Sequence, residues 1–402
     1  MAVRRRLVEQ TLLLTFAQLL ALAVGFVATV LIARALGPEG RGIYAWVLTL
    51  AGIAAQVAAL APGQTVRGIA AEVGREPAFA ATLIALSLLG TLLGLPLLAY
   101  AWAGLPASLG GRLLAVAWAA VPLTAAAVSI IALIQIRERP WPILLSHLGP
   151  RLVLLLGAGA LWTAGRLDLA SAVWLNTGIA AVQLALILAL LPSHALRPSL
   201  ALMRRIAPRL GAGWAAGLAL FALPRAPLVM LGSGGMLAEA GHYSVAVALF
   251  EIMIVLPVAA SGVLTTHLVG APGARPGLRG LLMLCGLMGA ACLAALALAP
   301  VLVPLLFGAA FRPAAGAFQG LLAAVMLATL YQYCQGALQA RGRSSAILAP
   351  PILALAAAVP TAALLIPALG LRGAVIGTVC GFTVLAAVAA WLAFGRAPPA
   401  PR

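Results

Sequence analysis

Two ionisable residues, Arg225 and Glu251, stand well inside apolar runs long enough to cross a bilayer. A charge at mid-bilayer costs about 2.5–3.5 kcal/mol or more, so such groups pair with one another, face a wet cavity or line a pathway. Arg225 lies about 11 Å from the outer end of its predicted helix, and Glu251 about 15 Å from the outer start of the next, at 1.5 Å rise per residue. Adjacent antiparallel helices bring the two within about one turn in depth. Two chemistries fit. One is a structural salt bridge that fixes two helices. The other is a guanidinium that faces a cleft and meets an anion, with Glu251 holding it or exchanging a cation. Pro224 precedes Arg225 and is expected to kink the helix and free a backbone carbonyl beside the charge.

A second set of arginines, Arg67, Arg139, Arg151 and Arg209, falls at predicted span ends. There the ordinary roles are setting topology and snorkelling to headgroups; the alternative is a basic mouth. Arg67 fits that alternative best, because Gly63-Gln64 ends its helix early and lets the side chain turn inward. Gln332, Gln335 and Gln339 recur at i, i+3 and i+7 on one helical face, with Tyr331 and Tyr333 beside them. Such a stripe either lines a polar cleft or bonds to neighbouring helices, for about 1–2 kcal/mol or less. Gly373, Gly377 and Gly381 have the small-xxx-small spacing of close helix packing. His147 and His267 lie near span ends, as interfacial residues do. No nucleophile–base arrangement, phosphate-binding P-loop or His-Glu-x-x-His metal motif occurs, so neither catalysis, metal nor cofactor is expected. The cysteines, Cys285, Cys292, Cys334 and Cys380, sit in apolar runs without metal-ligand or disulfide spacing.

The elements that must carry these residues are membrane helices. The chain is 64% hydrophobic and 8% charged, with mean hydropathy +1.13. Soluble domains are about 45–50% apolar and about 25% charged, so a single soluble domain is excluded, and so is disorder. The alternating ten-residue strands of an outer-membrane barrel are absent. Net charge is +17, but the arginines are scattered among apolar runs, which makes them topology signals and not a nucleic-acid surface. Twelve runs have the length of a span: 11–34, 43–64, 79–102, 112–135, 144–164, 169–191, 209–232, 241–267, 279–306, 315–339, 345–367 and 372–395. The connections are short and leave no room for an extramembrane catalytic domain. Arginines favour one side by roughly three to one, which predicts a multi-pass protein of the cytoplasmic membrane with both termini cytoplasmic.

The chain carries landmarks of an internal duplication. Gly42-Ile43-Tyr44 recurs as Gly241-His242-Tyr243, Gln135-Ile136-Arg137-Glu138-Arg139 as Gln339-Ala340-Arg341-Gly342-Arg343, and the Ala172-Val173 turn as Ala374-Val375 after Gly370-Leu371-Arg372. All three pairs are separated by about 200 residues and keep one order, as parallel repeats do. Six spans per repeat give both halves the same orientation. The expectation is an all-α protein of two six-helix lobes related by a pseudo-twofold axis along the membrane normal: 1–195, a cytoplasmic linker over 196–208, 209–396, and a tail over 397–402. Such repeats place a midplane cavity between the lobes.

The stretch Ala33-Arg34-Ala35-Leu36-Gly37-Pro38-Glu39-Gly40-Arg41-Gly42-Ile43-Tyr44 resembles the first loop of Wzx-type polysaccharide flippases of the multidrug/oligosaccharidyl-lipid/polysaccharide (MOP) exporter superfamily. Gly241-His242-Tyr243-Ser244-Val245-Ala246 leading to Glu251, Leu306-Phe307-Gly308 with Phe311, and Gly370-Leu371-Arg372-Gly373-Ala374 resemble later landmarks of that superfamily. The likeness spans nearly the whole chain and is a pattern of glycines and topology. It implies export of a polyprenyl-diphosphate-linked oligosaccharide or polysaccharide precursor, with the bilayer and the pathway's glycosyltransferases or polymerase as partners. On that reading Arg225, Arg67, Arg139 and Arg151 meet phosphate, and Gln332, Gln335 and Gln339 meet sugar. The alternatives are a cation-coupled antiporter of drugs or amphiphiles, which usually needs cleft carboxylates that are scarce here, and a membrane polymerase or ligase, which would need a long external loop.

Overall fold

The computed structural model describes residues 2–60, 78–104, 110–136, 140–190, 197–269, 277–340 and 344–394. Among them the regular secondary structure is wholly helical. The helices are α1 (Ala2–Ala58), α2 (Phe79–Gly90), α3 (Leu95–Gly104), α4 (Gly110–Ile136), α5 (Pro140–Thr163), α6 (Leu169–Leu190), α7 (Leu200–Ala222), α8 (Ala226–Ser233), α9 (Leu237–Met253), α10 (Val255–Val269), α11 (Leu278–Phe307), α12 (Arg312–Ala340), α13 (Ser344–Leu369) and α14 (Leu371–Phe394). Ten described helical stretches are long and apolar enough to cross a membrane, or eleven if the broken pair α7 and α8 is one span. One of these, Leu20–Ala58, covers most of the first two of the twelve expected runs, joined at a kink. The chain forms two compact units, Met1–Phe221 and Ala222–Arg402.

In the first unit the expected loop between spans one and two shrinks to a corner at Gly37, with φ 66° and ψ −179°. This is a backbone conformation that only glycine adopts without strain. Pro38 follows at the start of the next helical segment, where its missing N–H costs nothing. The core joins Phe79, Leu83 and Leu86 of α2 to Ala127, Ile130 and Leu133 of α4, Ile187 of α6, and Leu202, Ile206 and Leu210 of α7. Residues 200–208, read from the sequence as part of a linker, are thus helical, and their apolar face packs in this unit. Arg204, Arg205 and Arg209 lie exposed on other faces of α7. Ser87 and Ser129 share a buried 2.7 Å hydrogen bond across α2 and α4. At the start of α6 the Ser171 N–H donates to Asp168 Oδ1 at 2.8 Å, while the Asp168 N–H donates to Ser171 Oγ at 2.9 Å. This reciprocal cap satisfies two donors that the helix itself cannot.

In the second unit the glycine triplet does what its spacing predicted. A side chain at Gly373 would run into the Leu365 backbone of α13, one at Gly377 into Ala362, and one at Gly381 into Ala358 and Leu223. Only hydrogen at these positions lets α13 and α14 approach so closely, and that contact supplies dispersion energy where lipid removes the hydrophobic drive. Gly336 of α12 rests on the Ser261 carbonyl of α10 in the same way. His242 bonds the Ala310 carbonyl at 3.0 Å, tying the start of α9 to the turn before α12 on one membrane face.

Candidate functional site

Span seven is broken where Pro224 predicted a break. Leu223, Pro224 and Arg225 separate α7 from α8, and the Arg225 N–H bonds the Ala222 carbonyl at 2.9 Å in a tight turn. The carbonyl of Pro224 leaves the helical ladder and is claimed from outside: the Tyr243 hydroxyl donates to it at 3.0 Å. The same hydroxyl lies 2.6 Å from Thr378 Oγ1, which donates to the Ala374 carbonyl at 2.9 Å. Both side chains are fully buried. Two hydroxyl protons serve three short contacts here: with Tyr243 donating to Pro224, the Thr378 proton is shared between the Tyr243 oxygen and the Ala374 carbonyl. Tyr243 belongs to the repeated Gly-x-Tyr unit, and the sequence assigned it no such role.

The break releases Arg225 from the regular helical surface, and the side chain reaches across to α9. Its Nη2 donates to Glu251 Oε1 at 2.5 Å, with 23% and 36% of the two side chains accessible. Glu251 stands near the end of α9, where Pro257 interrupts the span at Ile254 by removing a donor from the ladder. Both partners therefore sit beside helix breaks, the positions at which a span can aim a charge away from acyl chains. A guanidinium carries five donors in a rigid fork, a geometry that matches carboxylate and phosphate oxygens alike.

The glutamines are at another depth. Arg225 lies about 12 Å from the Ser233 end of α8, while Gln332 lies about 30 Å from the Arg312 end of α12, at 1.5 Å per residue. Gln335 is buried, and Gln332 and Gln339 are half-buried. On this stretch of α12, Thr265 donates to the Gly336 carbonyl at 3.2 Å and Tyr333 to the Gly277 carbonyl at 2.6 Å. The structure therefore brings Arg225 and Glu251 together and leaves the glutamine stripe near the opposite membrane face, among helix-packing contacts. Arg67 and Arg139 lie outside the described residues, and so does the side chain of His267.

Arg151 is not at a span end, where the sequence was read to put it. It stands near the midpoint of the 24-residue α5, inside the candidate span Leu144–Thr163. Its stem lies against Gly25 of α1: a Cβ there would come 3.1 Å from Arg151 Cδ. A lone arginine early in an apolar run looks like a snorkelling residue; the seat that holds it at mid-depth lies on a helix far away in sequence, which the run itself does not encode. Arg41, in the stretch that resembles a first loop, is 8% accessible and stacks over the Tyr44 ring at 5.2 Å.

The all-helical, multi-pass fold matches the folds of solved MOP-type transporters. No protein-family model matches the sequence, and no curated protein matches it. Among solved structures, a multidrug resistance MATE family transporter of the MOP superfamily in an inward-facing conformation matches at 18% identity and TM-score 0.61, covering 92% of each chain. The lipid II flippase MurJ, in an inward closed conformation, matches at 12% identity and TM-score 0.70, covering 94% of this chain and 87% of its own. The eukaryotic MATE transporter AtDTX14 matches at 14% identity and TM-score 0.64, covering 98% and 96%.

Proposed function

We propose that this protein is a flippase that exports a polyprenyl-diphosphate-linked oligosaccharide or polysaccharide precursor across the cytoplasmic membrane by alternating access. The observation that carries the reading is the Arg225–Glu251 pair at membrane depth beside a broken helix, in a fold that resembles a lipid II flippase. A diphosphate headgroup is anionic and glycans are polar, so neither crosses hydrocarbon unaided. Arg225 meets the phosphate and Glu251 holds the guanidinium in place between cargoes. The inside-negative potential assists outward movement of an anion by about 2.3 kcal/mol per charge per 100 mV. The arginine bias supports cytoplasmic termini, and on this reading the pathway's glycosyltransferases or polymerase supply and consume the cargo.

A second reading is a cation-coupled antiporter of drugs or amphiphiles. It is favoured by the partial exposure of the Glu251 carboxylate and by the MATE transporters among the structural neighbours.

Proteoliposomes holding a fluorescently labelled polyprenyl-diphosphate sugar separate the two readings. A flippase makes the label accessible to an external quencher without any imposed cation gradient. Cation-dependent efflux of a cationic dye, with no movement of the labelled lipid, would replace the first reading by the second.

A further inference from the structure

The second unit holds a pair of metal-binding residue types that the transport site does not use. Glu239 and His242 stand in the first two turns of α9, at the membrane face where α8 ends and α12 and α14 begin. Their Glu-x-x-His spacing puts both side chains on one face of the helix, with Cβ atoms about 5–6 Å apart. Helical metal proteins use the same spacing to bring a carboxylate and an imidazole to one ion. Glu239 is close enough to act electrostatically on the His242 ring. That ring is held from two sides. Its Nε2 lies 3.0 Å from the Ala310 carbonyl, which can only accept, so Nε2 carries a proton. Phe311 meets the ring edge to face, at 5.9 Å between centroids and 87°. In the neutral imidazole this leaves Nδ1 with its lone pair. Metal-ligating histidines are oriented in this way, with the other ring nitrogen donating to a backbone carbonyl.

Glu239 is short of a partner. Its Oε2 is buried without a hydrogen bond. The carboxylate lies across Gly370, at the corner between α13 and α14 with φ 53°, in the space that a side chain there would fill. The Gly370 N–H is spent on the Ile366 carbonyl at 2.7 Å. Arg312 and Arg372, exposed at the starts of α12 and α14, form no ion pair with Glu239 among the described residues. A buried carboxylate oxygen left without a donor is costly. The first turn of a helix favours the ionised carboxylate, which is the form that binds metal. We infer that Glu239 and His242 form a binding site for a divalent transition metal of the zinc class, ligated by the Glu239 carboxylate and His242 Nδ1, with its remaining positions open to solvent. An imidazole beside a carboxylate suits zinc, copper or nickel; magnesium and calcium take oxygen ligands instead. A metal there fastens the start of α9 to the α13–α14 corner, as His242 already fastens it to the turn before α12. The site lies about 18 Å along α9 from Glu251, at 1.5 Å per residue, and does not depend on the nature of the cargo.

The test uses the full chain, free of any affinity tag, in nanodiscs of zwitterionic lipid. Zinc is titrated by calorimetry and by its effect on thermal unfolding. Stoichiometric zinc binding is expected, with a higher unfolding midpoint in its presence and no such shift with magnesium or calcium. Glu239→Gln and His242→Gln, which keep side chains able to hydrogen-bond, are each expected to weaken zinc binding at least about tenfold and to cancel the shift, while their midpoints without metal stay close to wild type. Copper(II) added to the wild type should give an electron paramagnetic resonance spectrum split by an imidazole nitrogen, a readout that decides the matter even if a variant fails to fold. A wild-type chain that binds no zinc would overturn the inference. So would zinc binding that survives either substitution at full strength, a copper spectrum without nitrogen splitting, or a larger shift with calcium than with zinc.

Discussion

In the second unit the intramembrane arginine grips a carboxylate on the next span; in the first, the arginine rests its stem on a glycine and has a tyrosine and a histidine for neighbours. The first arrangement is internally neutralised and anchored at a helix break. The second sets the guanidinium stem against a glycine of a helix distant in the chain. The same contrast separates the two repeated tyrosines. Tyr243 uses its hydroxyl to cap the carbonyl freed by Pro224, whereas Tyr44 offers its ring face to Arg41. The repeated landmarks thus keep their order while the chemistry at them differs.

The largest effect should come from glycines, and it should differ between the units. Gly373→Val drives a side chain into the Leu365 backbone, which has nowhere to move. Overpacking of this kind costs about 1–3 kcal/mol or more, and the expected readout is a collapse of the monodisperse peak in detergent. Gly25→Ala meets only the flexible stem of Arg151, so the protein should stay folded, with an unfolding midpoint close to wild type.

The arginines come next. Arg225→Gln leaves Glu251 without its cation and should lower stability by about 1–3 kcal/mol, less than for a fully buried pair because both groups are partly exposed. The double substitution Arg225→Gln with Glu251→Gln should recover most of that loss in a thermal-unfolding cycle. Arg151→Gln should leave stability unchanged. Equal destabilisation by the two single arginine substitutions would remove the contrast between a carboxylate-paired cation and one seated on a glycine.

Tyr243→Phe removes the donor to the Pro224 carbonyl and should cost about 1–2 kcal/mol; Tyr44→Phe keeps the aromatic ring over which Arg41 stacks and should cost less. The smallest effect is in the α6 cap. The Ser171 backbone N–H, then its side chain, hold the Asp168 carboxyl below its ordinary value of 3.8. A carboxylate lowered on folding stabilises fully above its unfolded pKa, and that contribution fades as pH falls through the lowered folded value. Asp168→Asn should therefore reduce stability slightly at neutral pH, with the difference from wild type disappearing only under strongly acid conditions.

Much of the fold was legible because membrane spans announce themselves by length and apolarity, and because Pro224 and Gly373-x-x-x-Gly377 act through local geometry. The pairing of Arg225 with Glu251 followed from helix depth alone. The sequence did not reveal the corner at Gly37, where a loop had been expected, or the membership of α7 in the first core, because both depend on contacts between helices remote in the chain. Arg151 was misplaced for the same reason. A span end was inferred from the charge itself, while the glycine that seats it lies on α1. The three glutamines had a helical spacing that fitted two roles, and spacing alone did not give the burial of Gln335.

Exchanging the partners of the ion pair tests the central claim most directly. The double substitution Arg225→Glu with Glu251→Arg preserves an opposite-charge pair between the two spans but moves the cation off the break in span seven. If Arg225 meets a phosphate group, the exchanged protein should reach wild-type abundance and a near-wild-type unfolding midpoint while its translocation of labelled polyprenyl-diphosphate sugar falls at least about tenfold. Wild-type translocation by the exchanged protein would mean that the pair only fastens two helices, and the account would fail at its centre.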